Sequence, residues 1–272
     1  MFALSPNLLG LHTPSTAHAV IFTIVAISLA ALLAGSVWHW RRSGSPTMTL
    51  LIVGGGVCCL NESLVDLLGH CYFPTHGGLM GLTLLGRTVP VWVELTYAIF
   101  FGAFPFFLSV LLERGTSRSR MWAAIGAFWI ANSILEVPLL STHLYVYYGE
   151  QPFKVARFPL EWLTINVLGA FFASVVTVRA APYLKGRRQL LLVLVPFACY
   201  MSSWVVSMPA FWALNSNASS AVKWAAVGVA IVLGALAIDA LIRIGRAAPP
   251  PGPAVDDEPL AGAAPRRELQ PA

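Results

Sequence analysis

Residues 18–40 read HAVIFTIVAISLAALLAGSVWHW. No Asp, Glu, Lys or Arg interrupts the run, and about 20 apolar residues carry a helix across the hydrocarbon core of a bilayer. A helix on a soluble domain would set a charged face against its apolar one. This stretch has no such face and reads as a membrane span.

Six more stretches share its character, at 47–70, 89–112, 120–142, 158–180, 188–212 and 221–243. The second is the least uniform, because Asn61, Glu62, Asp66 and His70 interrupt it. A six-helix count that omits one weak segment stays open. The expected fold is all-α: a polytopic transmembrane bundle of about seven helices. Composition agrees, with 57% hydrophobic residues, 11% charged residues and a mean hydropathy of +0.72. A soluble domain carries roughly a quarter charged residues. The organisation expected is an extracytoplasmic segment at 1–17, the helical domain at 18–246 and a cytoplasmic tail at 247–272. That tail, AAPPPGPAVDDEPLAGAAPRRELQPA, is too poor in large apolar residues to fold and reads as disordered. The first apolar run follows a start without Lys or Arg and is long enough to span, so a cleaved signal peptide is not expected.

The net charge of +5 is explained by loop positions rather than by an anionic partner. Connections after the first, third and fifth spans carry Arg41, Arg42, Arg114, Arg118, Arg120, Arg179, Lys185, Arg187 and Arg188, and Arg243 and Arg246 follow the seventh. The opposite connections hold Arg87, Lys154, Arg157 and Lys223. Eleven against four places the N-terminus outside and the C-terminus in the cytoplasm of a cell (inner) membrane. No basic stripe is interleaved with aromatics, so no nucleic acid partner is expected. Cys58, Cys59, Cys71 and Cys199 fit no metal-ligand spacing and read as small core residues.

Chemistry, if the chain does any, rests with acids inside the spans. An ionisable side chain within the bilayer costs at least ~2.5 kcal/mol, so each is a candidate for function. Asp239 has Arg243 one turn later and is explained by an ion pair. The other five are Glu62, Asp66, Glu94, Glu136 and Glu161. Glu62, Asp66 and Glu136 lie late in the second and fourth spans, whereas Glu94 and Glu161 lie early in the third and fifth. Successive spans run antiparallel, so all five fall in one half of the membrane, whichever way the chain is inserted.

Helical spacing refines this. Glu62, Asp66 and His70 share a face. Trp129, Asn132, Glu136 and His143 form a stripe, as do Glu94, Tyr97 and Phe101, and also Tyr200, Ser203, Trp204 and Ser207. Two carboxyls one turn apart in a poorly hydrated site do not both ionise readily, which supplies an acid beside a base. Aromatic faces stabilise a cation. Against this stand plainer readings: Glu94 and Glu161 are near enough to an interface to meet headgroups or water, and terminal Trp and Tyr residues form interfacial belts. His70, His76 and His143 read as interfacial; a zinc site from His70, His143 and a carboxylate is the alternative. Lys223 sits in the first turn of its span, not mid-span as a retinal lysine would.

Three segments carry a resemblance to a known family. NESLVDLLGHCYF at 61–73, NSILEVPLLSTHLYVYYG at 132–149 and FPLEWLTINVLGAF at 158–171 resemble, in that order, the AveC-type spirocyclases, membrane proteins of avermectin-like polyketide pathways. Glu136 with Tyr145, Tyr147, Tyr148 and Gly149 matches the second family segment, Pro159 and Glu161 match the third, and Asp66 is the counterpart in the first. The likeness covers residues 47–215, with a shorter connection after the second span and no counterpart for the tail. It implies a cofactor-free membrane cyclase-dehydratase acting on a lipophilic small molecule. On that reading Glu62, Asp66, Glu136 and Glu161 are the acid/base set, while Asn132, Glu94, Tyr97, Trp129 and Trp204 contact substrate. No metal is called for, and the partners expected are the lipophilic substrate and membrane lipid. Two other classes stay open: a membrane terpene cyclase or sterol-isomerase-like enzyme that protonates an olefin or epoxide, and a proton-coupled transporter or receptor with no chemistry.

Overall fold

The computed structural model describes residues 6–247. Within it are seven helices long and apolar enough to cross a membrane: α1 (Ser15–Ser43), α2 (Thr47–Leu68), α3 (Val91–Glu113), α4 (Arg118–Ser141), α5 (Leu160–Ala180), α6 (Gly186–Val206) and α7 (Ser220–Arg246). The chain is a multi-pass helical membrane protein, and the six-helix count falls away. The tail expected from residue 247 lies, after Ala247, outside the described residues, as do residues 1–5.

The middle of the bundle is α5, whose Val167, Leu168, Ala170 and Phe171 are fully buried against α3, α6 and α7. By contrast α1 and α4 turn Ile24, Ile27, Ile130 and Ile134 outward. Such exposure would be a liability in water, but it suits a surface facing acyl chains.

Three helices are irregular, each for a local reason. Pro105 has no N–H for the carbonyl of Phe101, and α3 widens into a π turn over Ile99–Ala103. A tighter 3₁₀ turn, Cys59–Asn61, interrupts α2 immediately before Glu62. The sixth span stops at Val206, and a separate short helix, Met208–Leu214, follows where 188–212 was expected to be continuous. Pro209 explains that break, since it can neither donate backward nor accommodate a helical ring contact.

Glycines set the closeness of α2 and α3. A Cβ on Gly55 would strike the backbone of Tyr97, Ala98 and Gly102, and one on Gly102 would strike that of Leu51 and Ile52. Small residues let the two backbones touch, the usual device for packing helices within lipid.

One end of the bundle is roofed by short strands. β1 (Cys71–Tyr72) pairs antiparallel with β4 (Val146–Tyr147), joining the connection after α2 to that after α4. β2 (Met80–Leu84) and β3 (Arg87–Pro90) form a hairpin, and β5 (Lys154–Val155) and β6 (Phe158–Pro159) form another. Ala156 and Arg157, with φ of 48° and 70°, turn the last one without glycine. The N-terminal segment joins the same end, where the Thr13 hydroxyl donates to the His143 carbonyl at 3.2 Å. At the far end Asp239 pairs with Arg243 at 3.1 Å, as its spacing implied, and also with Arg118 at 2.6 Å.

Candidate functional site

Beneath the strand roof lies a cavity of about 640 Å³ of empty space counted out to its mouth, walled by α2 to α6. Its lining is mainly aromatic and apolar, with Glu62, Glu136, Asn132 and Asn166 among the polar groups that enter it.

Glu62 reaches the cavity because the 3₁₀ turn ends there, placing it in the first turn of the final helical segment of α2. It is 6% exposed and accepts a hydrogen bond from the Tyr97 hydroxyl. The Tyr97 hydroxyl in turn lies 3.4 Å from that of Tyr200. One carboxylate and two phenols from α2, α3 and α6 thus form a connected polar group in an aromatic setting. Glu136 and Asn132, one turn apart on α4 and within interaction range of each other, enter from the opposite wall.

The roof supplies the rest. Tyr147 on β4 and Tyr145 just before it both face the cavity, where Tyr145 meets Phe73 and Tyr147 meets Trp162. Burial pushes the Tyr147 phenol up from its ordinary pKa, so it is a hydrogen-bond donor at neutral pH. The Cys71 thiol also lines the space, and burial pushes it up as well. It is therefore not a thiolate nucleophile at neutral pH.

Of the nine side chains singled out from sequence, Glu62, Tyr97, Asn132 and Glu136 share this cavity, and five do not line it. Asp66, one turn beyond Glu62, rises to the level of the roof. It is 1% exposed, lies within interaction range of the Cys71 thiol and the Arg87 guanidinium, and has one oxygen without a hydrogen-bond partner. Glu161 is also 1% exposed with both oxygens unpartnered, but its neighbour Trp162, rotated about 100° around the helix, is the one that lines the cavity. Glu94 accepts the Leu82 backbone N–H and so braces the first hairpin. Trp129 donates to the Leu163 carbonyl at 3.2 Å and lines a groove on the outside of α4 and α5. Trp204 is completely buried, stacked on Phe211 and edge-on to Trp162.

The stripes read from helical spacing hold only while the helices last. His70 follows the end of α2 and adopts φ of 56°, which swings it off the Glu62 face to meet the Asn215 side chain at 3.0 Å and to stack on Tyr148. His143 does the same after α4, lying 3.4 Å from an Arg157 nitrogen. Lys223 pairs with Glu150 at 3.4 Å. No group of three or more His, Cys, Asp or Glu that could hold a metal ion occurs among the described residues.

Sequence reasoning missed Arg87 as a buried group. It is 4% exposed, donates to the Tyr148 hydroxyl at 2.7 Å and lies near the Tyr72 and Tyr148 rings. It also passed over Trp92, Trp162 and Asn166 in the cavity wall. The alternation of LYVYY at 144–148 was a usable signal for Tyr145 and Tyr147, since period two puts both on one side of a strand. No protein-family model, curated protein or solved structure matches the chain.

Proposed function

We propose that the chain is a membrane-embedded acid/base cyclase-dehydratase acting on a lipophilic biosynthetic intermediate, as its resemblance to the AveC-type spirocyclases implies. The observation that carries this reading is the pair Glu62 and Glu136, placed on different helices around one aromatic cavity, with Glu62 held by Tyr97. One carboxyl in its acid form gives a proton to the hydroxyl of a hemiketal, the ring-closed form of a hydroxy-ketone. The C–O bond breaks, water leaves and an oxocarbenium ion remains. The ring faces of Tyr97, Phe101, Tyr200 and Trp162 suit that cation. An internal hydroxyl of the substrate then closes the ring and passes its proton to the other carboxylate. No electrons change hands, and the net change is loss of one water. Each step is ordinary general acid/base chemistry, worth about 10²–10⁴-fold per positioned group.

On this reading the roofed end faces outside, because the basic connections lie at the opposite end and remain in the cytoplasm. The aromatic wall serves equally the second chemistry, protonation of an olefin or epoxide followed by cyclisation. Mass spectrometry of lipophilic metabolites from a deletion strain separates the two. An accumulated precursor heavier than the product by one water supports dehydration, and an isomeric precursor supports cyclisation or isomerisation. An unchanged metabolite set counts against any enzyme, and uptake into vesicles driven by a pH gradient would support a transporter instead.

A further inference from the structure

We infer that the cavity takes its ligand sideways from the bilayer, through a mouth between α3 and α4, and that the ligand is a single-chain amphiphile. Its polar end lies at Glu62 and Tyr97, and its chain trails into lipid past Leu135. This rests on the proposed function only in treating the cavity as a substrate site.

Three observations carry it. The water-facing end is closed: Phe73, Tyr145, Tyr147 and Leu139 all line the cavity, all are buried, and the Cys71–Tyr147 strand pair crosses above them. The side is not closed. Helix α4 packs on α5 and on the β6 strand, while its ring contacts with α3 are Phe128 against Phe100, at 4.7 Å, and against Phe104, at 3.4 Å. Phe128 sits two turns from Glu136, toward the connection between the two helices, and with Phe104 forms the floor of the gap. Above that floor the facing residues, Thr96 and Phe100 on α3 and Asn132, Leu135 and Glu136 on α4, line the cavity itself. Finally, Leu135 belongs to both surfaces: it lines the cavity and is 40% exposed on the outside of the bundle, beside the lipid-facing Ile134. A residue shared by an internal cavity and a lipid-facing surface marks where the two meet.

The chemistry of the walls chooses the occupant. An acyl or isoprenoid chain loses nothing on moving from lipid into an apolar, aromatic gap, whereas a polar solute would have to cross hydrocarbon to reach it. Hydrogen-bonding groups wait at the inner end, where a hydroxyl or carbonyl finds Glu62, Tyr97 and Tyr200. The gap is lined by single residues of two neighbouring helices, Thr96 and Phe100 against Asn132 and Leu135, and one chain is the occupant we assign to it.

The test uses the full chain in liposomes with a long-chain primary alcohol carrying a diazirine near its hydroxyl end. After photolysis, peptide mass spectrometry should find adducts on Tyr97, Asn132 and Leu135 as well as on outward residues such as Ile24 and Leu236. Leu135→Trp should abolish the inner adducts and Leu135→Ala should raise them severalfold, with outward labelling the same in both. Labelling confined to outward residues in the wild type, or inner labelling indifferent to Leu135, overturns the proposal. Binding is read without turnover, so a Glu136→Gln protein that labels normally and still converts substrate would sink the proposed chemistry while leaving the mouth intact.

Discussion

The Tyr97 hydroxyl donates to the carboxylate of Glu62 across the α2–α3 interface, within a pocket that both residues line. Tyr97→Phe keeps the ring and removes only that donor. A buried carboxylate left without it costs about 1–3 kcal/mol. The variant should therefore melt several degrees lower in detergent, by tryptophan fluorescence, and convert substrate more slowly. A wild-type melting curve and rate would mean the contact does not matter.

The closeness of those two helices depends on Gly55 and Gly102. Gly102→Ala drives a methyl group into the backbone of Leu51 and Ile52, which cannot rotate away as a side chain could. Overpacking of this kind costs about 1–3 kcal/mol, and separating α2 from α3 also separates Glu62 from Tyr97. Loss of stability and activity together is expected. Gly35, with nothing near a built Cβ, should accept Ala without penalty, and its melting curve is the control.

The Arg87 guanidinium and the Asp66 carboxyl are both buried under the roof, 4% and 1% exposed. Arg87→Met removes a cation within interaction range of that carboxyl and the donor to the Tyr148 hydroxyl, and should cost about 1–3 kcal/mol. The double variant Arg87→Met with Asp66→Leu should recover much of that loss, since neither group is then left alone. A double variant no more stable than Arg87→Met would show that the two do not act on each other.

His70 links stability to pH. Burial, the largest influence, lowers its pKa from 6.5, with the Lys223 and Arg87 cations adding to that and the Asn215 side chain opposing it. The folded chain thus binds a proton at His70 less readily than the unfolded chain does. Its contribution is complete above pH 6.5 and is lost as pH falls from there toward the lower folded value. His70→Asn keeps a residue type that tolerates the positive φ found there and removes the titration. Melting temperature followed from pH 7.5 to 5 should fall more steeply in the wild type than in His70→Asn. Parallel profiles would contradict the assignment.

Much of the architecture was written in apolarity alone. Seven long apolar runs gave seven spans, and the antiparallel order of spans put Glu62, Asp66, Glu94, Glu136 and Glu161 at the roofed end. What each acid does at that depth was not legible, because it depends on rotations of fractions of a turn. The 3₁₀ turn before Glu62 and the π turn after Tyr97 both shift side chains around their helices, and no spacing rule anticipates them. Glu94 looked like a pocket residue until a hairpin appeared whose Leu82 N–H it accepts. Arg87 was counted as a loop charge although strand pairing buries it. Tertiary pairing of connections, rather than any property of the spans, decided these cases.

The central claim is that Glu62 and Glu136 act together on one substrate in one cavity. Its most direct test returns the gene to a deletion strain as wild type and as Glu136→Gln, with membrane abundance matched by immunoblot, and quantifies product and precursor by mass spectrometry. The account predicts that wild type restores the product while Glu136→Gln leaves the precursor accumulated. Full product formation by Glu136→Gln would contradict it.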